Sequence, residues 1–138
     1  KQEALDMGAS HTIDSTNPEA IRRHSNCFDL VISTVDVQLD WSEYLNTLKP
    51  KGRLHFVGIP LQPLDFGVIS LLRGQKSVSA SPVGSPASIA KMLEFAASHG
   101  IKPIVEEYHV SRINEALERL RSGAARYRVV INMKSASP

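Results

Sequence analysis

Three apolar, β-branched runs constrain this chain more than anything else in it: FDLVISTV at 28–35, RLHFVG at 53–58 and KSVSAS at 76–81. The first is nearly continuously apolar, the pattern of a strand covered on both faces. Helical stretches separate the runs. Asp40 is placed to cap a helix through Leu48, with Trp41, Tyr44, Leu45 and Leu48 inward, and a short apolar helix is expected around Val68 to Leu72. The alternation extends both ways. KQEALDM reads as a helix closed by Gly8, His11 to Asp14 as a short strand, and Asn17-Pro18 as a helix start with Asn17 as N-cap and Pro18 at N1. Lys49-Pro50-Lys51-Gly52 reads as a turn. Ser85-Pro86 opens a helix with Ile89, Met92, Leu93 and Ala96 on one stripe, ended by Gly100. A strand over Ile104 to Val110, a helix capped by Ser111 and closed by Gly123, and a last strand in RYRVVINM complete the pattern.

Strands alternating with helices from end to end imply an α/β fold with a largely parallel sheet. Ligands of such sheets bind past the carboxyl ends of the strands. The segments to inspect are therefore Thr34-Val35-Asp36, Val57-Gly58-Ile59-Pro60 and Ser81 to Ser85. A further pair stands out: Arg126 and Arg128 are spaced by two, which in a strand puts both on one face, and a guanidinium fork suits a phosphate.

Composition removes several function classes. A net charge of +2 over 138 residues, with Arg22-Arg23 and Arg119 to Arg121 set among acids on helix faces, does not point to nucleic acid. Cys27 is the only cysteine, which rules out an intrachain disulfide or thiolate cluster, and the five scattered histidines include no H-x-x-x-H pair, so no metal site is expected. No apolar run approaches the roughly 18 residues of a membrane span, and no signal peptide opens the chain, so the expected setting is cytoplasmic. The chain opens without methionine and inside a helix, and is expected to be a fragment.

The order EALDMGASHTID, FDLVISTV, LKPKGRLHFVGIP, SVSASPVGS and INEALERLRSGAARYRVVI resembles the carboxyl-terminal half of the zinc-dependent medium-chain alcohol dehydrogenases, in particular the NADP-dependent, cinnamyl-alcohol-dehydrogenase-like branch. The resemblance implies a Rossmann-like, largely parallel doubly wound sheet lacking its first strands over residues 1–102. Residues 103–138 would then be the return segment of the catalytic domain. It implies that Thr34 and Val35 lie beside the adenosine and ribose of NADP. Val57, Gly58 and Ile59 would line the nicotinamide, Ser81, Gly84 and Ser85 would form a small-residue turn near it, and Arg128 would reach the cofactor phosphates beside a solvated Arg126. Ala80 and Ser85 depart from glycines frequent in the family.

The same resemblance assigns the zinc ligands and the G-x-G-x-x-G turn to a preceding half; that motif is absent here. It implies a parent enzyme that interconverts a primary alcohol and an aldehyde by hydride transfer. In the fragment no catalytic residue is expected, NADP binding is weak or absent, zinc belongs to the parent only, and a homodimer forms through the strand around Lys76 to Ser81. The competing reading is a stand-alone, non-catalytic remnant serving as a dimerising or weak nucleotide-binding module. Individually, Gly58 reads as a strand-ending glycine, Ser81 to Ser85 as a capped helix start, Arg128 as a surface arginine, Cys27 as an inert core residue and His55 as structural.

Overall fold

The computed structural model describes residues 1–134, in two compact units, Lys1–Val83 and Gly84–Pro138. The division falls ahead of the boundary after residue 102 that the resemblance implies.

In the first unit, α1 (Gln2–Asp6) and α2 (Pro18–Arg22) precede β1 (Phe28–Ser33), followed by α3 (Trp41–Thr47), β2 (Leu48–Phe56), α4 (Ile69–Leu72) and β3 (Ser77–Ala80). The three strands are all parallel in the order β1-β2-β3. The helix starts follow their sequence signals. Asn17 Oδ1 accepts from the Glu19 and Ala20 amides, and Asp40 Oδ1 from the Glu43 amide. Glu43 in turn receives the Arg22 guanidinium at 2.9 Å, tying α2 to α3.

Trp41, Leu45 and Leu48 meet Leu54 and Phe56 in the core, with Phe28, Val31, Tyr44, Leu71 and Val78 packed around them. Trp41 stands edge-on to Phe56 at 4.8 Å and 70°. Burying each large side chain fully contributes roughly 1.5–3 kcal/mol. Lys76 Nζ donates to the Leu45 carbonyl at 2.7 Å, fastening the entry of β3 to α3; partial burial pushes its pKa down.

Several expectations need correction. His11 to Asp14 forms no strand; the Asp14 carboxylate instead accepts from the Thr16 amide and hydroxyl, turning the chain. Lys49 to Gly52 is no turn between elements but lies inside β2 as a bulge. The register jumps there from Phe28↔Leu48 to Leu30↔Arg53, and Lys51 takes φ 63° while its amide donates to the Gly74 carbonyl. A Cβ on Gly52 would sit 2.9 Å from the Lys49 carbonyl oxygen, so only glycine passes the bulge without a shift. β1 is covered on one face only: Leu30 and Ile32 are half exposed, because α3 and α4 lie on the side of Val31 and Leu54. Cys27 is exposed, not in the core, since it sits in the turn that enters β1.

In the second unit, α5 (Pro86–Ser98) is followed by β4 (Val105–His109), a 3₁₀ turn at Val110–Arg112, α6 (Ile113–Arg121) and β5 (Arg128–Asn132). β4 and β5 pair in parallel, with α6 as their crossover. Ser111 lies within the 3₁₀ turn and caps nothing; His109 Nδ1 accepts the Ser111 amide. No helix among the described residues is long and apolar enough to cross a membrane.

One ion pair organises this second unit. Glu106 on β4 takes the Arg119 guanidinium of α6 in two bonds, at 2.8 and 3.0 Å, and accepts the Arg126 amide at 2.7 Å. The Arg119 bonds, then the Arg126 amide, bring its pKa from 4.5 to about 2. A carboxylate whose folded pKa is depressed stabilises the fold above its unfolded pKa, and that contribution is lost as pH falls toward the folded one. Protection of the β4 and β5 amides, taken relative to their intrinsic exchange rates at each pH, is therefore expected to fall between pH 4.5 and pH 2 in the wild-type chain. Glu106→Gln should show faster exchange already at neutral pH and a shallower acid dependence; equal acid profiles would contradict the assignment.

Candidate functional site

The carboxyl ends of β1 and β2 are joined by one carbonyl. Ser33 O accepts from both the Val57 amide, at 2.9 Å, and the Gly58 amide, at 3.1 Å. The two chains then cross so closely that a Cβ on Gly58 would lie 2.4 Å from the Val35 carbonyl oxygen. It would also lie 2.6 and 2.7 Å from the Thr34 carbonyl carbon and oxygen. All three atoms are backbone, so no side chain can move aside. Gly58 is thus required by the chain's own backbone, and this crossing brings Thr34 and Val35 against Gly58.

On the other side, the Ser81 amide donates to the Phe56 carbonyl at 3.1 Å, drawing the end of β3 to the end of β2. Between them opens a cleft of about 470 Å³ lined by Phe56, Val57, Gly58, Ile59, Ala80, Ser81, Pro82 and Val83. Its walls are mainly apolar, with the Ser81 hydroxyl as the side-chain polar group. Such a cleft suits a flat, weakly polar ring with a hydrogen-bonding substituent. A smaller cavity of about 190 Å³ lies beside Thr34 and Val35, against Trp41 and Tyr44. Trp41 Nε1 and Ser33 Oγ border it, both buried and without a hydrogen-bond partner among the described residues.

Six of the sequence-derived candidates, Thr34, Val35, Val57, Gly58, Ile59 and Ser81, therefore share one end of one sheet. Gly84, Ser85 and Arg128 belong to the second unit. Ser85 caps α5, its hydroxyl accepting the Ser88 amide at 3.2 Å. A Cβ on Gly84 would meet Ser88 and Ile89 at ordinary contact distances, so no close packing demands glycine there. Arg126 and Arg128 do not share a strand face, because β5 begins at Arg128. Arg126 Nη1 donates to the Ala124 and Ala125 carbonyls and its guanidinium lies over Tyr127, whereas the Arg128 guanidinium is exposed with no ion pair among the described residues.

Sequence reasoning read His55 as structural and did not foresee its side-chain partners. Its ring bridges Ser79 Oγ, 2.8 Å from Nδ1, and Ser81 Oγ, 2.9 Å from Nε2. Finding it required the parallel register, His55↔Ser79, which a strand pattern alone does not reveal. For metal binding the donor set does not fit: no group of three or more His, Cys, Asp or Glu that could hold an ion exists among the described residues.

Residues 1–98 match the family model described as zinc-binding dehydrogenase. The chain is 57% identical over 130 residues to an aldehyde reductase, AdhA, from Synechocystis, covering 94% of this chain and 39% of that protein. Among solved structures, a cinnamyl alcohol dehydrogenase from Sorghum bicolor superposes with a TM-score of 0.87 at 32% identity, over 98% of this chain and 40% of its own. A cinnamyl alcohol dehydrogenase from Helicobacter pylori, complexed with NADP(H), does so with a TM-score of 0.76 at 30% identity, over 99% of this chain and 39% of its own. The chain thus spans about two-fifths of the length of the relatives it matches.

Gly58→Ala is expected to destabilise the first unit by about 1–3 kcal/mol, the usual cost of forcing extra volume into packed backbone. Gly84→Ala should stay within about 0.5 kcal/mol. Urea unfolding followed by Trp41 fluorescence measures the former and circular dichroism the latter; an unaffected Gly58→Ala variant would refute the backbone-crossing argument.

Proposed function

Because the chain belongs to the zinc-binding dehydrogenase family, we propose that it forms the cofactor-side part of an NADP-dependent oxidoreductase acting on a primary alcohol and its aldehyde. The observation that carries this reading is the 470 Å³ cleft where the crossing at Gly58 meets Ser81, at the carboxyl ends of parallel strands. When bound there, a nicotinamide would give or accept hydride. The residues of this chain bind and orient it. Val57, Ile59, Pro82 and Val83 provide apolar walls, and Ser81 provides a hydroxyl for the carboxamide. Thr34 and Val35 border the adjoining cavity, on the side proposed for the adenosine and ribose.

In the same proposal Arg128, whose guanidinium has no ion pair among the described residues, answers the cofactor phosphates, and Gly84 and Ser85 continue the turn after Ser81. Residues 1–102 serve the cofactor and 103–138 the catalytic domain. The names of the relatives support the substrate class: one is an aldehyde reductase, and others are cinnamyl alcohol dehydrogenases, one complexed with NADP(H). In this proposal zinc belongs to the part of such an enzyme that this chain does not span. A reducing, cytoplasmic setting belongs to this proposal and is compatible with the free thiol of Cys27.

Fluorescence titration with NADPH tests the reading. Weak, saturable binding is expected, reduced by Arg128→Ala, with no reduction of benzaldehyde by the purified chain even when zinc is added. Tight binding indifferent to Arg128→Ala would move the site elsewhere, and turnover by the chain alone would refute the assignment of catalysis to other residues.

The proposal extends to assembly. β3 is an edge strand, its outer amides and carbonyls unpaired among the described residues, and such an edge is a template for a second strand. A homodimer through Lys76 to Ser81 is therefore expected as the main species at tens of micromolar by sedimentation equilibrium. A monomer at that concentration would refute it.

A further inference from the structure

His55 lies one residue from the carboxyl end of β2, the central strand, opposite Ile32 of β1 and Ser79 of β3, on the sheet face away from the core. Alternation along β3 puts Ser77 and Ser79 on that face and carries it on to Ser81. The imidazole therefore spans two serines, and only one of them, Ser81, also lines the cleft; His55 itself does not. A neutral imidazole carries one N–H and one bare nitrogen, so it cannot treat both hydroxyls alike. With the proton on Nδ1, Ser79 accepts, and the Ser81 hydroxyl must donate to the bare Nε2, turning its remaining lone pair toward the cleft. With the proton on Nε2, Ser81 accepts from the ring, and its own hydrogen is free to point into the cleft.

We propose that His55 is a positioning residue whose tautomer decides whether Ser81 offers a hydrogen or a lone pair to the planar carboxamide of a ligand seated against Val57 and Gly58. The inference rests on the cofactor reading above and deepens it. A carboxamide has an acceptor oxygen and a donor nitrogen on opposite sides, so each tautomer favours one orientation of the group. A ligand bound in one orientation selects one tautomer. The serine pair thus makes the orientation of the carboxamide readable at a histidine that never touches it.

The test uses the whole chain with ¹⁵N-labelled histidine, titrated with NADP⁺ and followed by long-range ¹H–¹⁵N correlation. Binding is expected to move the Nδ1 and Nε2 signals of His55 in opposite directions, as one tautomer is drawn out of the mixture. Ser81→Ala should abolish that movement. His55→Leu should weaken NADP⁺ binding by roughly three- to tenfold, about the worth of one hydrogen bond, while His55→Gln, which keeps a donor and an acceptor, restores it to within about twofold. Binding that leaves the His55 signals unmoved overturns the inference alone, as does equal loss in the Leu and Gln variants. Absence of any NADP⁺ binding overturns the cofactor reading itself, and this inference with it. Should His55→Leu fail to fold by circular dichroism, the wild-type and Ser81→Ala spectra still decide.

Discussion

The carbonyl of Ser33 is the hinge on which the first unit is organised. It binds two successive amides, those of Val57 and Gly58, where most strand carbonyls bind one. That pair of hydrogen bonds pulls the strand ends together until only a residue without a side chain fits between Thr34, Val35 and the next strand. Everything at the carboxyl end of the sheet takes its position from this crossing. It sets the direction in which β1 leaves toward Leu39 and α3, the entrance of the small cavity beside Trp41, and one wall of the larger cleft. The usual argument for a glycine near a ligand is that the ligand needs the space. Here the protein's own peptide groups occupy it, and any ligand is served indirectly, through the alignment the crossing enforces.

The core beneath supports this arrangement from one side only. Trp41, Leu45, Leu48, Leu54 and Phe56 close the face under α3 and α4. The other face shows Leu30, Ile32, Arg53 and the half-buried His55, with no helix of its own unit laid across it. A sheet in this state is polar enough to carry a histidine–serine bridge and apolar enough to invite cover. The polar groups on the open face lie toward β3, the exposed aliphatics toward β1.

Much of this was legible in the sequence because the signals are local. Asn17-Pro18, Asp40 and Ser85-Pro86 mark helix starts through bonds made within four residues, and each is found as read. The parallel strands follow from alternation of elements, and the six candidates at the end of one sheet from the rule that strand ends gather. What escaped depends on partners distant in sequence. The bulge at Lys51 exists because its amide reaches Gly74, and Lys49-Pro50-Lys51-Gly52 alone looks like any turn. The apolar run of β1 suggested cover on both faces, which it lacks within its unit. His11 to Asp14 has a strand's composition, but Thr16 claims the Asp14 carboxylate, the Asn17 amide claims the Asp14 carbonyl, and no strand pairs with the segment. Arg126 and Arg128 were separated by the late start of β5, and the bridge that His55 makes between Ser79 and Ser81 was hidden by an unknown register.

The strand pairings also bear on how the chain assembles. Ile32 pairs with His55, His55 with Ser79, and Val105 with Arg128, so each parallel pair closes a crossover of almost the same length. Loop-closure entropy rises only with the logarithm of that length, so the three closures cost nearly the same. None has a kinetic advantage from chain topology. The order of events is then decided by what each closure removes from water. Joining β1 to β2 brings Leu54 and Phe56 under Trp41, whereas joining β4 to β5 buries little beyond Ala116. The nucleus for folding is accordingly expected around Trp41, with the Ser33–Gly58 crossing forming as its strands zip toward their carboxyl ends.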